Sequence, residues 1–225
     1  MSSLPRALPR SFYDRPAPEV APELLGRILV RDLPGGRIAG RIVEVEAYRG
    51  EYDPASHAYR GRTERNQVMF GPPGHAYIYF TYGMHHCLNV VTDPAGTASA
   101  VLIRALEPVS GIEAMRRRRG LAADTPRLLE RLARGPGCVA RALGVTRRQD
   151  GLDLTRGPLW IADQAPERRG LAIARGPRIG IRVAVTRRWR FYLTGHPCVS
   201  GPRARHGRGR RSFALGSQAL EALLR

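Results

Sequence analysis

The sequence predicts an α+β domain built around a largely antiparallel β-sheet. Segments with the alternating pattern of strands follow one another closely, and few are separated by a helical segment long enough for a parallel crossover. Helical spacing of apolar residues is confined to a few short stretches. A chain of 225 residues, 43% of them hydrophobic, has the size and composition of one folded domain with at most an additional tail.

The first half of the chain predicts a hairpin, a loop and a meander of strands. Residues 18–33 carry apolar residues spaced for a short helix that runs into a strand. The Asp-Leu-Pro-Gly-Gly sequence at 32–36 is typical of a turn, and the segments 27–31 and 37–47 on either side of it can pair as a hairpin. A loop rich in Gly, Arg, Asn and Pro follows at 50–73. Three further strands are predicted at 75–82, 87–91 and 100–105.

The second half of the chain predicts helices, short strands and a tail. Apolar spacing indicates helices at 111–119 and 126–143, the second interrupted at Gly135 and Pro136. Late strands are predicted at 159–161, 178–185 and 190–193. We therefore assign one domain to residues 1–202, and an Arg/Gly-rich C-terminal tail with the pattern of a short helix to residues 203–225.

Charge is the strongest signal in the composition. Thirty-seven basic residues against nineteen acidic ones give a net charge of +18 and a sequence pI of about 11.3. Such a charge attracts polyanions, and nucleic acid is the commonest partner of a strongly basic chain. All of the basic residues are arginine, and the sequence contains no lysine.

Other features exclude several classes of protein. No apolar run approaches the roughly 20 residues that a membrane span requires, so we expect no membrane partner. Residues 1–15 interleave Pro and Arg without the apolar stretch of a secretory signal, which favours a cytoplasmic location. Cys87, Cys138 and Cys198 are too few and too scattered for a disulfide framework or a structural zinc site. We expect neither a metal nor an organic cofactor.

The segment RIVEVEAY at 41–48 alternates in character. Glu44, Glu46 and Tyr48 share one face of the predicted strand, and Val43, Val45 and Ala47 share the other. One interpretation is an exposed polar face on which both glutamates meet water. The other is a carboxylate beside an aromatic ring in a pocket, an arrangement that suits hydrolysis of a glycosidic bond. Periodicity does not choose between the two glutamates.

The segment HAYIYFTYG at 75–83 is rich in aromatic residues. Tyr77, Tyr79 and Thr81 share one face, and Ile78, Phe80 and Tyr82 share the other. Aromatic residues favour strands, so ordinary core packing is one interpretation. Tyrosine also combines a flat apolar face with a polar tip, which suits the wall of a nucleobase pocket. Tyr82 precedes a glycine and could project from a turn as a wedge into a base stack.

The loop between these strands carries His57 and the arginines Arg60, Arg62 and Arg65. A single histidine in a loop is usually a solvated surface residue. Arginines in a loop suit phosphate contacts, both by charge and by the forked geometry of the guanidinium.

Taken together, these segments resemble the alkyladenine (3-methyladenine) DNA glycosylase family, the monofunctional, purine-excising type. The likeness runs in order from about residue 12 to residue 200, and an ordered series of this length is far more specific than a single motif. The matching stretches are FYDRP at 12–16, LGRILV at 25–30, RIVEVEAY at 41–48, DPASH at 53–57, RN at 65–66, MF at 69–70, YIYFTYGM at 77–84, Asn89, VLIRALEP at 101–108, GP at 135–136, RIGI at 178–181 and RFY at 190–192.

The resemblance implies roles for individual residues of the reaction centre. Glu46, rather than Glu44, matches the residue that activates the attacking water. Arg104 and the backbone carbonyl of Ile179 match groups that help to hold that water. The implied fold is a single compact domain around a curved antiparallel sheet with flanking helices.

The resemblance also implies how damaged DNA is bound. Tyr48 and Tyr79 match stacking walls for a flipped base, and His57 matches a contact to the edge of that base. Asn89 matches the residue that clashes with the exocyclic amino group of guanine, and Tyr82 matches the side chain that fills the gap in the duplex. Candidates for contacts with the DNA backbone are Arg60, Arg62, Arg65 and Met84.

The predicted function is therefore that of a monofunctional DNA glycosylase of base excision repair, which acts as a monomer on double-stranded DNA containing a damaged purine. The chain has no lysine to form a Schiff base, which leaves only the N-terminal amine, in a segment with no evident tie to the pocket. We therefore expect hydrolysis without strand cleavage. Two departures from the family pattern are Cys138, where many relatives have lysine, and the Arg/Gly-rich tail.

Three other functions fit part of these sequence features. The main alternative is a non-catalytic, basic nucleic-acid-binding module. An RNA-modifying transferase would need a cofactor site, and the sequence has no G-x-G-x-x-G strand–turn–helix signature. A ribosome-associated structural protein fits the charge but leaves the tyrosines and glutamates unexplained.

Overall fold

A computed structural model describes residues 6–81, 83–163 and 172–201. These residues form a mixed α and β domain around a curled antiparallel sheet, which confirms the predicted fold class. The α-helices of the described residues are α1 (Arg10–Tyr13), α2 (Ala17–Leu24), α3 (Ile112–Arg119), α4 (Leu128–Leu132) and α5 (Pro136–Leu143). The strands are β1 (Ile28–Leu33), β2 (Gly36–Arg49), β3 (Ala76–Thr81), β4 (His85–Thr92), β5 (Ser99–Ser110), β6 (Leu159–Ile161), β7 (Ile173–Gly176) and β8 (Arg190–Leu193).

Strand β2 is the centre of the sheet. The main path of the sheet runs β3-β4-β5-β2-β1-β6, and β8 joins β2 beyond the end of β1 and pairs in turn with β7. All of these pairings are antiparallel. The long β2–β5 ladder contains register shifts next to Gly40 and Glu44. Such bulges bend a strand and increase its twist, which accounts for the curl of the sheet.

The two faces of the sheet have different partners. Helices α2, α3 and α5 contribute Val20, Met115 and Leu143 to the main hydrophobic core. The sheet contributes alternate residues to the same core, among them Val45 and Ile103. Because neighbouring residues in a strand point to opposite faces, the residues between them lie on the other side of the sheet. That second face carries the cavity described below.

In the described part of the chain, the outer edge of β3 pairs with no strand and is covered by the segment 147–152, through backbone bonds at Ala76 and side-chain bonds at Ile78. The backbone N–H of Ile78 donates to Asp150 Oδ1 at 2.7 Å, and Arg147 Nη1 donates to the carbonyl of Ile78 at 2.7 Å. These contacts satisfy backbone groups that an edge strand would otherwise leave open. They hold the strand that carries Tyr77 and Tyr79 in place.

Most of the predicted elements are confirmed, and one is wrong. The hairpin of β1 and β2, the helices on either side of residue 135, and the strands at 159–161 and 190–193 are present. Residues 178–185 were predicted as a strand but form bends and a turn, and the strand that pairs with β8 is β7. Gly180 at φ +79° and Ala184 at φ +50° adopt left-handed conformations, which interrupt an extended run.

Two predictions fall outside the described residues. Tyr82 lies there, as do the tail at 203–225 and its predicted short helix. In the ranges that are described, no helix is both long enough and apolar enough to cross a membrane.

Candidate active site

A cavity of about 570 Å³ opens on the face of the sheet opposite the main hydrophobic core. Its walls come from alternate residues of four adjacent strands, whose side chains point the same way because of the twofold period of a strand. The strand residues that line it are Tyr48 of β2, Tyr77, Tyr79 and Thr81 of β3, His85, Cys87 and Asn89 of β4, and Ala100, Leu102 and Arg104 of β5. Three segments outside the strands complete the wall: 54–57, the start of α5 at 136–137, and the loop at 179–183.

Glu46 lies directly behind this wall and is fully buried. The backbone N–H of Ile179 donates to its Oε1 at 2.7 Å, and the Tyr48 hydroxyl donates to its Oε2 at 2.8 Å. Arg104 Nη1 is 3.2 Å from the same Oε2. Each of these three partners lines the cavity, whereas Glu46 itself does not. The carboxylate is therefore one layer beneath the cavity surface and is held from three sides.

The surroundings of Glu46 act on its pKa in opposite directions. Burial raises the pKa of the carboxyl above its ordinary value and is the dominant effect. The charge of Arg104, the Ile179 amide and the Tyr48 hydroxyl each lower the pKa, and the nearby carboxylate Glu44 raises it. A raised pKa brings a carboxylate closer to the value that suits proton transfer near neutral pH.

Glu44, two residues earlier on β2, is also fully buried, but its partners differ. Its Oε1 accepts from Arg104 Nε at 3.0 Å and from Arg190 Nε at 2.6 Å, and its Oε2 accepts from the backbone N–H of Ser200 at 2.6 Å. The interpretation of 41–48 as an exposed polar face is therefore wrong. Glu44 belongs to a buried ion network that includes Arg104. Because Arg104 also contacts Glu46, Glu44 helps to hold a partner of Glu46 in place.

The tyrosines of β3 combine core packing with cavity lining. Tyr77 is 1% exposed and packs in an apolar cluster that also contains Met69. The rings of Tyr77 and Tyr79 lie 5.6 Å apart between centroids, tilted by 36°. The ring of His57 meets Tyr79 edge-on at 4.5 Å, and its Nδ1 lies 3.0 Å from the Tyr77 hydroxyl. His57 is exposed at the rim of the cavity, where these two contacts hold its ring.

The charge of His57 follows from this environment. Partial burial of the ring, with the nearby charge of Arg65, lowers the pKa of His57 to about 4. The imidazole is therefore neutral near pH 7, so that it presents a hydrogen-bonding nitrogen to the cavity without a positive charge.

Asn89 lies at the floor of the cavity and is 3% exposed. Its Nδ2 donates to the backbone carbonyl of Tyr77 at 3.0 Å, across the β3–β4 pair. This bond fixes the plane of the amide. A rigid amide in a cavity wall can exclude one shape of ligand in favour of another.

The loop that carries the predicted DNA-backbone contacts is organised by a buried asparagine. Asn66 Nδ2 donates to the carbonyls of His57 and Gly61, each at 2.9 Å, and its Oδ1 accepts from the N–H of Thr63 at 2.7 Å. The loop is thereby closed, and its arginines project outward. The guanidinium of Arg65 lies over the ring of Tyr79, 5.6 Å from its centroid.

The structure brings six of the predicted site residues together on one cavity wall: Tyr48, His57, Tyr79, Asn89, Arg104 and Ile179. Glu46 lies just behind them. Ile179 contacts Glu46 through its backbone N–H, whereas the resemblance implies a role for its carbonyl. The candidates for backbone contacts are all exposed and do not line the cavity: Arg60, Arg62, Arg65 and Met84. Tyr82, predicted as the intercalating side chain, lies outside the described residues.

Two buried residues of the site were given no role from the sequence. Asp53 and Arg178 form an ion pair with fully buried side chains, next to Tyr48. Both occur inside the matched segments DPASH and RIGI, and this was the only signal available. Charge could not single out one arginine in a chain so rich in them.

Comparison with known proteins gives one consistent result. The family model described as methylpurine-DNA glycosylase matches residues 11–197. Three relatives carry the name "Putative 3-methyladenine DNA glycosylase". The protein from Burkholderia lata is 52% identical over 199 residues, which cover 87% of this chain and 91% of the relative. The protein from Streptomyces avermitilis is 49% identical, and the match covers 91% of this chain and 96% of the relative. The protein from Methanocella arvoryzae is 50% identical, and the match covers 86% of this chain and 95% of the relative.

Proposed function

This chain belongs to the methylpurine-DNA glycosylase family, whose members are DNA glycosylases of base excision repair, and we propose that it flips alkylated or deaminated purines out of duplex DNA and hydrolyses their glycosidic bond. The observation that carries this proposal is a tyrosine-walled cavity set directly over a buried carboxylate. Its volume lies in the range of about 300–1,000 Å³ that is usual for sites that enclose a small molecule.

Bases inside a duplex are inaccessible, so the reaction begins with extrusion of the nucleotide. The net charge of +18 supports attraction to the phosphates, and the exposed Arg60, Arg62 and Arg65 are suited to direct contacts. Met84, 68% exposed, is a further candidate at the DNA surface. Tyr82 remains our candidate for the side chain that fills the gap in the stack. Damaged bases pair and stack poorly and therefore flip at lower cost, which contributes to selectivity.

The flipped purine would lie between the rings of Tyr48 and Tyr79. For an alkylated, cationic base, cation–π attraction to such rings adds roughly 0.5–2 kcal/mol. A cationic base is also a better leaving group than a neutral one. A neutral lesion such as hypoxanthine depends more on contacts to its edge, for which the neutral His57 is placed at the rim.

The chemical step is hydrolysis with Glu46 as general base. A carboxylate offers about four lone-pair positions, and the Ile179 amide, the Tyr48 hydroxyl and Arg104 occupy three of those of Glu46. The fourth would accept the water, which has to lie between this buried carboxylate and the cavity-lining groups Tyr48, Arg104 and Ile179. As the bond from the sugar C1′ to the base nitrogen breaks, its electron pair leaves with the base, the water oxygen bonds to C1′, and the water proton passes to Glu46. A cationic alkylated base leaves as the neutral purine, whereas a neutral base such as hypoxanthine leaves as an anion and takes up a proton from solvent. Glu46 then releases its proton to solvent, and the other product is an abasic site in an intact strand.

The direct test is base release from duplexes that each carry one defined lesion: 3-methyladenine, 7-methylguanine, hypoxanthine or ethenoadenine. We expect alkali-sensitive sites at the lesion and no strand cleavage before alkali treatment, because hydrolysis does not break the backbone. Borohydride should trap no covalent adduct, since no lysine is available to form a Schiff base. A lysine-dependent bifunctional glycosylase, assayed in parallel, shows that the trapping conditions work. A trapped complex with this chain would contradict the hydrolytic mechanism.

Replacing Asn89 with alanine is expected to relax discrimination against normal guanine. The fixed amide at the cavity floor would be lost, and with it the clash with the exocyclic amino group. Exclusion by one pocket group is worth about 10- to 200-fold in kcat/KM, so release of guanine from an undamaged duplex should rise by that order. Release of hypoxanthine, which lacks the amino group, is the internal control and should change little. Unaltered guanine release would remove Asn89 from this role.

A further inference from the structure

We propose that the buried ion pair between Asp53 and Arg178 is a positioning element that aligns Glu46 and Tyr48 for base release. This inference rests on the proposed function of the cavity and adds two residues to its machinery. Neither residue lines the cavity, so both act through others.

The pair has the geometry of a rigid clamp. Arg178 presents two guanidinium nitrogens to the two carboxylate oxygens of Asp53, with Nη2 to Oδ1 at 2.7 Å. Both side chains have no exposed surface. Bidentate pairing of this kind fixes direction as well as distance.

The clamp joins three of the segments that form the cavity. On β2, Arg178 Nη1 donates to the carbonyl of Ala47 at 2.9 Å, next to Tyr48. In the loop after β2, Asp53 Oδ1 accepts from the N–H of Ala55 at 3.2 Å, which shapes the lining segment 54–57. Arg178 itself begins the loop whose residues 179–183 also line the cavity. One ion pair thus sets the relative positions of these three segments.

The clamp reaches Glu46 by two routes. Arg178 is followed directly by Ile179, whose backbone N–H binds Glu46 Oε1 at 2.7 Å. The guanidinium of Arg178 also stacks on the ring of Tyr48, 4.6 Å from its centroid. It lies 5.4 Å from the ring centroid of Trp189, the residue that precedes β8. The Tyr48 hydroxyl donates to Glu46 Oε2. Two of the contacts to the carboxylate therefore depend on the place of one arginine.

Stability alone is a weak reason for such a pair. Two buried charges lose their hydration, and a buried ion pair often contributes no more than well-packed apolar residues of similar volume. Its advantage is geometric, because arginine can stack flat on an aromatic ring while forming two parallel hydrogen bonds, which lysine cannot do. The conservative variant Arg178→Lys keeps the charge and removes that geometry.

The pH profile separates positioning from a merely structural role. The groups that act on the charge of Glu46 are Arg104 from β5, Glu44 and Tyr48 from β2, and the Ile179 amide, with Tyr79 and Cys87 facing it from β3 and β4. Among these, the Ile179 amide lowers the pKa of Glu46. If Arg178 no longer holds that amide, the pKa of Glu46 rises further. The acidic limb of the rate profile then moves to higher pH.

The experiment measures single-turnover base release by the full chain on a hypoxanthine duplex between about pH 5 and 9, together with DNA binding and urea unfolding. For Arg178→Lys we expect a loss of about a hundredfold in rate near neutral pH, the scale of a small misplacement of reacting groups, with DNA affinity retained and the acidic limb shifted upward. Asp53→Asn, nearly isosteric, should give the same pattern and decides the question if Arg178→Lys does not fold. Arg10→Lys alters an Arg–Asp pair whose contacts include neither Glu46, Tyr48 nor a lining residue, so this control should release base at the wild-type rate.

Two results would overturn the inference: rates unchanged in both variants, or rates reduced only by the unfolded fraction with the acidic limb in its original place. Failure of the proposed function is recognised separately, because wild-type protein would then release no base or Glu46→Gln would release it normally. If wild type releases base and Glu46→Gln does not, the proposed function holds. The results for Arg178→Lys and Asp53→Asn then test the inference about the ion pair alone.

Discussion

Replacing Glu46 with glutamine is expected to abolish base release while leaving binding to lesion-containing DNA intact. Glutamine keeps the size of the side chain and can still accept from one neighbour, but it cannot take a proton from water. Loss of a general base costs about 10²- to 10⁴-fold in rate. Single-turnover base release and fluorescence-anisotropy binding, measured on the same hypoxanthine duplex, separate chemistry from affinity.

The control for this variant is another carboxylate of the same sheet. Glu107 lies on β5 and pairs with Arg41 at 3.1 Å, and it does not line the cavity. Glu107→Gln should therefore release base at the wild-type rate. Full activity in Glu46→Gln would exclude Glu46 as the base. Absence of base release from wild type on every lesion would favour the non-catalytic binding module.

The twofold period of strands made much of the site predictable. It placed Glu44, Glu46 and Tyr48 on one face, and Tyr77, Tyr79 and Thr81 on one face of another strand, as observed. The burial of the two glutamates was not predictable from this pattern. Arg104 and Arg190, which pair with Glu44, lie 60 and 146 residues further along the chain. Local alternation of charged and apolar residues looks the same whether such distant partners exist or not.

The loop after β7 shows a second limit of the sequence pattern, because its backbone was predicted as a strand and is irregular. Ile179, Ile181 and Val183 alternate with other residues as in a strand, but all five residues 179–183 line the cavity. The alternation therefore predicted a strand where the structure has an irregular loop. The choice of Glu46 rather than Glu44 as the general base came from the family resemblance, and the contacts now give it a physical basis. Glu46 contacts three cavity-lining residues, Ile179, Tyr48 and Arg104. Of the partners of Glu44, only Arg104 lines the cavity.

Replacing Glu44 with alanine is expected to cost a large part of the stability of the fold. Glu44 is fully buried and accepts from Arg104, Arg190 and the Ser200 amide. The variant removes the carboxylate that Arg104 and Arg190 share, so part of their buried positive charge is no longer balanced. Breaking a buried ion pair in this way lowers the free energy of unfolding by about 3–5 kcal/mol. The total for a typical domain is about 5–15 kcal/mol. Urea denaturation should show a large fall in the midpoint.

The matched control is Glu113→Ala on α3. Glu113 also contacts two arginines, Arg116 at 2.6 Å and Arg117 at 3.3 Å, but in solvent, where an ion pair contributes little. Its midpoint should stay close to wild type, and equal midpoints for both variants would show that the buried network adds no more than a surface pair.

Substitutions at Glu44 and Glu46 on β2 should have opposite effects: the first mainly lowers stability, and the second mainly lowers the rate of base release. Because burial raises the pKa of Glu46, the folded state binds more protons at this group than the unfolded state does between the two pKa values. Stability contributed by the protonated form is therefore lost as the pH rises through the folded pKa. At neutral pH the ionised carboxylate opposes folding, so Glu46→Gln should lose far less stability than Glu44→Ala while losing far more activity per folded molecule. A Glu46→Gln variant as unstable as Glu44→Ala would place Glu46 in the structural network rather than in the reaction.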